Sequence, residues 1–196
     1  MPNHVYNRLV VQGNSSEITR FKLQAAQVDQ DNIDCDAPLS FWNFVRPSQE
    51  SLDSGRYHAT NGWVAGKQSG DTPDNWYNWN NTHWGTKWDA YDVQLQIHGV
   101  LRLQYTFTTA WSVPAPVLTA MTEQFPELTF SLFYEEEQGW GGLLVGDQGV
   151  VVQAREYDVP KSHADATLTP DRFEKDCWCD GDYRPFADCP KVSVDA

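Results

Sequence analysis

Two runs of strict alternation, Tyr91-Val93-Leu95-Ile97 and Leu101-Leu103-Tyr105-Phe107, stand on either side of the short link His98-Gly99-Val100. Period two means successive side chains point to opposite faces. Four apolar positions on each side of a glycine-bearing link therefore predict a long antiparallel hairpin with one buried face. A chain containing such a hairpin must cover that face with other elements, and these flank it on both sides.

Upstream, His4 to Gln12 reads as a first strand closed by Gly13-Asn14. Asn14 stands at an N-cap position with Glu17 three residues on, a capping-box spacing, and Ile18, Phe21 and Ala25 follow at helical intervals to about Val28. Downstream, Ser112 with Pro114 and Pro116 opens a second helix carrying Val117, Leu118, Met121 and Phe125, which Pro126 closes. Leu128-Phe130-Leu132-Tyr134 is a further strand, Gly139 to Gly142 reads as a turn, and Leu143 to Ala154 as one more hairpin.

Between the first helix and the hairpin lies a long insertion, about residues 29–88. Leu39 to Val45 predicts a short strand or ledge, Ser48 to Gly70 a surface excursion without period, and Thr72-Pro73 the start of a helix with Trp76, Trp79 and His83 on one face. Gly85 ends that helix between Trp84 and Trp88. The order predicts an α+β fold, an antiparallel sheet with two helices on one face, over residues 1–154. Residues 155–196 read as an acidic tail, wrapped on the domain or moving freely.

Composition narrows function. With 27 acidic against 14 basic residues and a net charge of -13 over 196 residues, direct nucleic-acid binding is disfavoured, because phosphates demand clustered Lys and Arg. An acidic decoy that imitates DNA is a remaining alternative. No apolar run is long enough to span a bilayer and the N-terminus has no signal-peptide pattern, so a cytoplasmic protein without membrane contact is expected. Cys177, Cys179 and Cys189 with His163 could make a tetrahedral zinc site, but Cys177 and Cys179 are separated by one residue where structural zinc pairs use two to four; the cysteines are read as reduced thiols, and no metal or cofactor is expected. Glu135, Glu136 and Glu137 read as a solvated strand end, and the sequence holds no nucleophile elbow or H-E-x-x-H motif.

The candidate site is the turn Asn80 to Tyr91, where rings, a glycine, a cation and a carboxylate converge. His83, Trp84, Thr86, Lys87 and Trp88 lie at the start of the hairpin, and antiparallel pairing brings its far end, Thr109 and Trp111, beside them. His4 and Asn7 on the first strand approach the same rim. A cation, hydroxyls and stacking rings suit a nucleotide-like anion, with Lys87 on the phosphate and a Trp on the base. Lys87, His83 and Asp89 would serve an enzyme as charge stabiliser and acid–base pair.

Three segments also carry a resemblance: Met1-Pro2-Asn3-His4-Val5 with Asn7, His83 to Ala90, and Phe107 to Ser112 with Pro114. Together they resemble the YubB-like family of bacteriophage and conjugative-plasmid proteins with a ferredoxin-like domain, over about residues 1–145. The family's apolar-Pro-Met-Pro element appears here only as Val45-Arg46-Pro47-Ser48. The resemblance implies a ferredoxin-like sheet, no iron–sulfur cluster and no known catalytic residues. It further implies an accessory protein of a mobile element, engaging a host protein or sequestering a small anionic ligand, with counter-defence among its roles.

Overall fold

The computed structural model describes residues 3–28, 37–58, 63–64, 67–68, 75–158, 176–179 and 182–185. Strand β1 (His4–Gln12) leads into helix α1 (Ser15–Ala25). Next come a 3-10 turn (Phe41–Asn43), the short helix α2 (Gln49–Asp53), two-residue strands β2 (Trp63–Val64) and β3 (Lys67–Gln68), and α3 (Trp76–His83). The hairpin follows as β4 (Tyr91–Ile97) and β5 (Arg102–Ala110), then α4 (Ala115–Gln124), β6 (Thr129–Glu136), β7 (Trp140–Asp147) and β8 (Val150–Asp158). A small antiparallel pair, β9 (Asp176–Cys179) and β10 (Asp182–Pro185), completes the order.

Six strands form one sheet in the order β4-β5-β1-β6-β7-β8, each pair antiparallel. The first four reproduce the ferredoxin-like arrangement, in which two strand–helix–strand crossovers interleave around a central β1. The chain is thus an α+β protein with a ferredoxin-like sheet, extended at one edge by the β7–β8 hairpin.

Alternation explains why the core sits on one face. Val5, Leu9 and Val11 on β1 align with Leu103, Tyr105 and Phe107 on β5 and with Phe130 and Leu132 on β6, all buried. Phe21 of α1 meets Phe125 at the end of α4 at 5.1 Å between ring centroids, and both helices cover the sheet there, with Phe21 also 5.5 Å from Phe130 and 6.1 Å from Tyr105. Burying such a side chain stabilises by roughly 1.5–3 kcal/mol. Burial also pushes the Tyr105 phenol up.

Several expectations are corrected. Helix α1 ends at Ala25, and only half of the capping box forms: Asn14 Oδ1 accepts the Glu17 N–H at 2.9 Å, while the Glu17 carboxylate takes Arg20 instead. Leu39 to Val45 forms no strand; its middle, Phe41–Asn43, is a 3-10 turn, where the Asp89 carboxylate captures the Phe41 N–H. The excursion from Ser48 contains α2, capped by Ser48, and sends Tyr57 into the core. Asn75 caps α3, accepting the Asn78 N–H at 2.9 Å; Thr72 and Pro73 lie outside the described residues. Pro114, not Ser112, occupies the N-cap of α4.

Glu135 and Glu136 are no solvated end, since each is 3% exposed. Adding β7 and β8 beyond β6 covers both: Tyr157 of β8 donates to Glu135 Oε1 at 2.9 Å, and the Gln138 N–H donates to Glu136 Oε2 at 2.6 Å. Gly141 and Gly142 belong to β7, and only Gly139 stays in the turn. Strand β8 runs to Asp158, four residues past the boundary expected at 154. His163, Cys189 and the side chains of Cys177 and Cys179 lie outside the described residues.

Candidate functional site

The corner from Trp84 to Ala90 is built by a left-handed glycine and a set of buried hydrogen bonds. Gly85 has φ +78°, and a Cβ there would sit 2.7 Å from Pro116 Cδ and 3.1 Å from the Val113 carbonyl. Only glycine meets both demands. The Trp84 indole turns inward, 3% exposed, and donates to the Val45 carbonyl at 2.7 Å. Around it stand Phe41, Trp42 and Trp79 in edge-on contact.

Asn80 then fixes the height of Lys87. Its amide donates to the Lys87 carbonyl at 3.0 Å, and its Oδ1 accepts the Tyr57 hydroxyl at 2.9 Å. Burial pushes that phenol up to about 12, so it remains a donor throughout the physiological range. Thr86, fully buried, donates to the Trp88 carbonyl at 2.7 Å. Asp89 ties the corner to the 3-10 turn, accepting from Ser40 Oγ at 2.6 Å and from the N–H groups of Phe41 and Ala90 at 2.7 Å.

The end of β5 is tied to the same corner. Ser112 Oγ donates to the Gly85 carbonyl, and Thr109 Oγ1 donates to the Ser112 carbonyl at 2.8 Å while accepting from Asn7 Nδ2 at 3.0 Å. Trp111 leaves β5 with φ +72°, a conformation that costs a bulky L-residue about 1 kcal/mol or more.

The outcome is a surface cluster. Lys87 Nζ lies 4.6 Å from the Trp88 ring centroid, 4.7 Å from that of Trp111 and 6.0 Å from that of Tyr77. Trp88 and Trp111 are 39% and 42% exposed, so the ammonium sits between two rings that face solvent. Ring quadrupoles attract a cation at such distances. Tyr91 extends the cluster, edge-on to Trp88 at 6.4 Å, with its hydroxyl 2.7 Å from His4 Nδ1.

Of the nine residues singled out from sequence, the fold gathers Lys87, Trp88 and Trp111 at the surface, with His4 one ring away. Trp84, Thr86, Thr109 and Asn7 are buried and form the scaffold beneath them. His83 is exposed but turned away from Lys87: its ring stacks on Trp79 at 4.4 Å and its Nδ1–H donates to the Trp79 carbonyl at 3.0 Å. Tyr77 lies outside the turn expected from sequence, and Tyr91, at the end of that turn, is not among the nine residues. Strict alternation puts Tyr91 on the core row with Leu95, but a bulge between Tyr91 and Gln94, with Asp92 at φ +53°, turns it to the opposite face, into the row of Thr108 and Tyr6.

The chain is similar in part to known proteins. Residues 83–167 match the family model described as "Ferredoxin-like domain in Api92-like protein", a span that opens at His83 and includes the whole Lys87 cluster apart from Tyr77 and His4. Among solved structures, the protein api92 from Yersinia pseudotuberculosis is similar, with 11% sequence identity, a TM-score of 0.48 and coverage of 81% of this chain and 99% of that one. No curated protein matches. Among the described residues no helix is long and apolar enough to cross a membrane.

Proposed function

We propose that the chain is a non-enzymatic recognition module whose binding surface is the Lys87–Trp88–Trp111 corner, and that its ligand is a small anion bearing a flat ring, such as a nucleotide. One observation carries this reading: an ammonium is held between two exposed indoles, and among the described residues no carboxylate pairs with it. In a chain with almost twice as many acids as bases, a lysine placed this way is poised for an anion from outside. Its rotamers are already restricted by the rings, so less entropy is lost on binding.

Turnover is the weaker alternative. Asp89 has both oxygens engaged in holding the 3-10 turn, and His83 is stacked on Trp79, which removes the acid–base pair an enzyme would need near Lys87. The motif resemblance to phage and plasmid proteins supports an accessory role in a host cytoplasm, with a host protein as the second candidate partner and counter-defence as the setting.

A thermal-shift screen against mono- and cyclic nucleotides at millimolar concentration tests the proposal. At least one compound should raise the Tm of the wild type and leave Lys87→Ala unmoved. No shift with any of them would reject the small-anion reading, and a pull-down from host lysate would then test the protein partner. The backbone strain at Trp111 gives a companion prediction. Trp111→Gly should keep a Tm within about 4 °C of wild type or above it, because glycine relieves the left-handed strain, yet should lose the ligand-induced shift. A large drop in Tm would mean that the ring serves packing.

A further inference from the structure

Tyr6 of β1 is 47% exposed, more open than either indole of the Lys87 corner. Val5 and Asn7 on either side of it are buried in the core, so by alternation Tyr6 stands on the opposite face of the sheet. Tyr91, the last ring of the corner, stands on that same face. The two tyrosines share a row with Thr108 alone between them, about 10 Å apart at the backbone. The short side chain of Thr108, 8% exposed, makes the floor of the gap.

The strand that carries Tyr6 is tied to the corner. His4, two residues before Tyr6 and on its face, meets the Tyr91 ring edge-on at 6.0 Å. The Trp111 N–H donates to the Asn3 carbonyl at 2.9 Å. Burial first, then the charges of Asp92, Tyr6 and Glu137, push the Tyr91 phenol up, so Tyr6 lies within Coulombic reach of it. Trp111, Trp88, Tyr91, His4 and Tyr6 therefore form one strip of rings that runs from the Lys87 ammonium across β5 to β1.

Taking the Lys87 corner as the subsite for an anion and a first ring, the reading on which this step rests, we infer that Tyr6 is the platform for a second flat ring and that the ligand is a dinucleotide, two bases joined by one phosphodiester. Charge sets the number of phosphates. Lys87 offers one ammonium, whereas Asp92 and Glu137, both exposed, stand beside Tyr91 in the middle of the strip. A polyphosphate or a longer strand would meet these carboxylates and the net charge of -13. A second base adds stacking without adding charge, and stacking on one aromatic ring strengthens binding about tenfold.

Isothermal titration of the full chain with AMP, the methyl ester of AMP and the dinucleotide ApA tests the second subsite. The methyl ester carries the same single charge as ApA but only one base. ApA should bind about tenfold more tightly than the ester. Tyr6→Phe should keep that advantage and Tyr6→Ala should abolish it, with the ester bound as tightly as by wild type, which shows the corner intact. Equal affinities of ApA and the ester in wild type overturn the second subsite even where AMP binds, and so does an advantage that survives in Tyr6→Ala. Failure of AMP, the ester and ApA alike to bind would reject the corner itself, and the second subsite with it.

Discussion

Asp89→Ala is expected to destabilise the protein by roughly 3–5 kcal/mol, enough to leave many domains partly unfolded. The carboxylate satisfies three donors at once, the Ser40 hydroxyl and the N–H groups of Phe41 and Ala90. Removing it orphans two buried backbone donors and frees the 3-10 turn that carries Phe41 and Trp42 into the core. Asp89→Asn should cost far less, because the amide oxygen still accepts both N–H groups and its NH2 can donate to Ser40 Oγ. Chemical denaturation of the two variants separates the lost bonds from the lost charge.

The pair also has a pH signature. Burial pushes the Asp89 carboxyl above the ordinary aspartate value, and its hydrogen bonds with Ser40 and the backbone pull it back in part. The folded state therefore holds this proton more tightly than the unfolded state does. The stabilisation from protonation is fully present below about pH 4 and is lost as pH rises through the folded value. Asparagine does not titrate, so the stability of wild type relative to Asp89→Asn should fall across that window and level off above it. A difference that grows with pH would mean that the hydrogen bonds outweigh burial.

Gly85→Ala is the second large effect, expected at about 3 kcal/mol from two additive causes. The left-handed backbone at φ +78° opposes any Cβ, and the added methyl would press on Pro116 Cδ at 2.7 Å and the Val113 carbonyl. The Val113 carbonyl is backbone at the entry to α4, so it cannot swing aside as a flexible side chain would. Relief would shift α4 or unwind the corner, and Lys87, two residues on, would leave its place between the indoles. Denaturation melts should show the loss, and binding should weaken beyond what the fraction unfolded explains.

Both variants probe a part of the chain that local pattern describes poorly. Strands β1, β4, β5 and β6 and the two helices on the core face were readable because each buries one face, and that leaves a period in the sequence. The 3-10 turn at Phe41 and the five residues of α2 are too short to show a period. They are held by distant partners: Asp89 binds Phe41, Trp84 binds Val45, and Tyr57 binds Asn80. Glu135 and Glu136 failed for a related reason. Parity placed them on opposite faces, but their burial depends on β7 and β8 folding back beside β6.

The same limit divides the site. Trp84 and Trp88 flank one glycine in one motif, yet the first is core and the second faces solvent. Chain direction through a left-handed Gly85 decides which is which, and no composition rule records that turn. Lys87 and Trp111 were linked in sequence by the antiparallel logic of the β4–β5 hairpin. The addition of Tyr77 required the orientation of α3, which Asn75 sets three residues later than the Thr-Pro signal indicates.

The most direct test of the recognition corner is a two-dimensional NMR titration of the tryptophan indole N–H signals with AMP and cyclic AMP at millimolar concentration. The signals of Trp88 and Trp111 should move together and saturate, that of Trp84 should stay fixed, and Lys87→Ala should abolish the movement. Immobile Trp88 and Trp111 signals with both compounds, or equal movement in Lys87→Ala, would contradict the assignment of this corner as the binding surface.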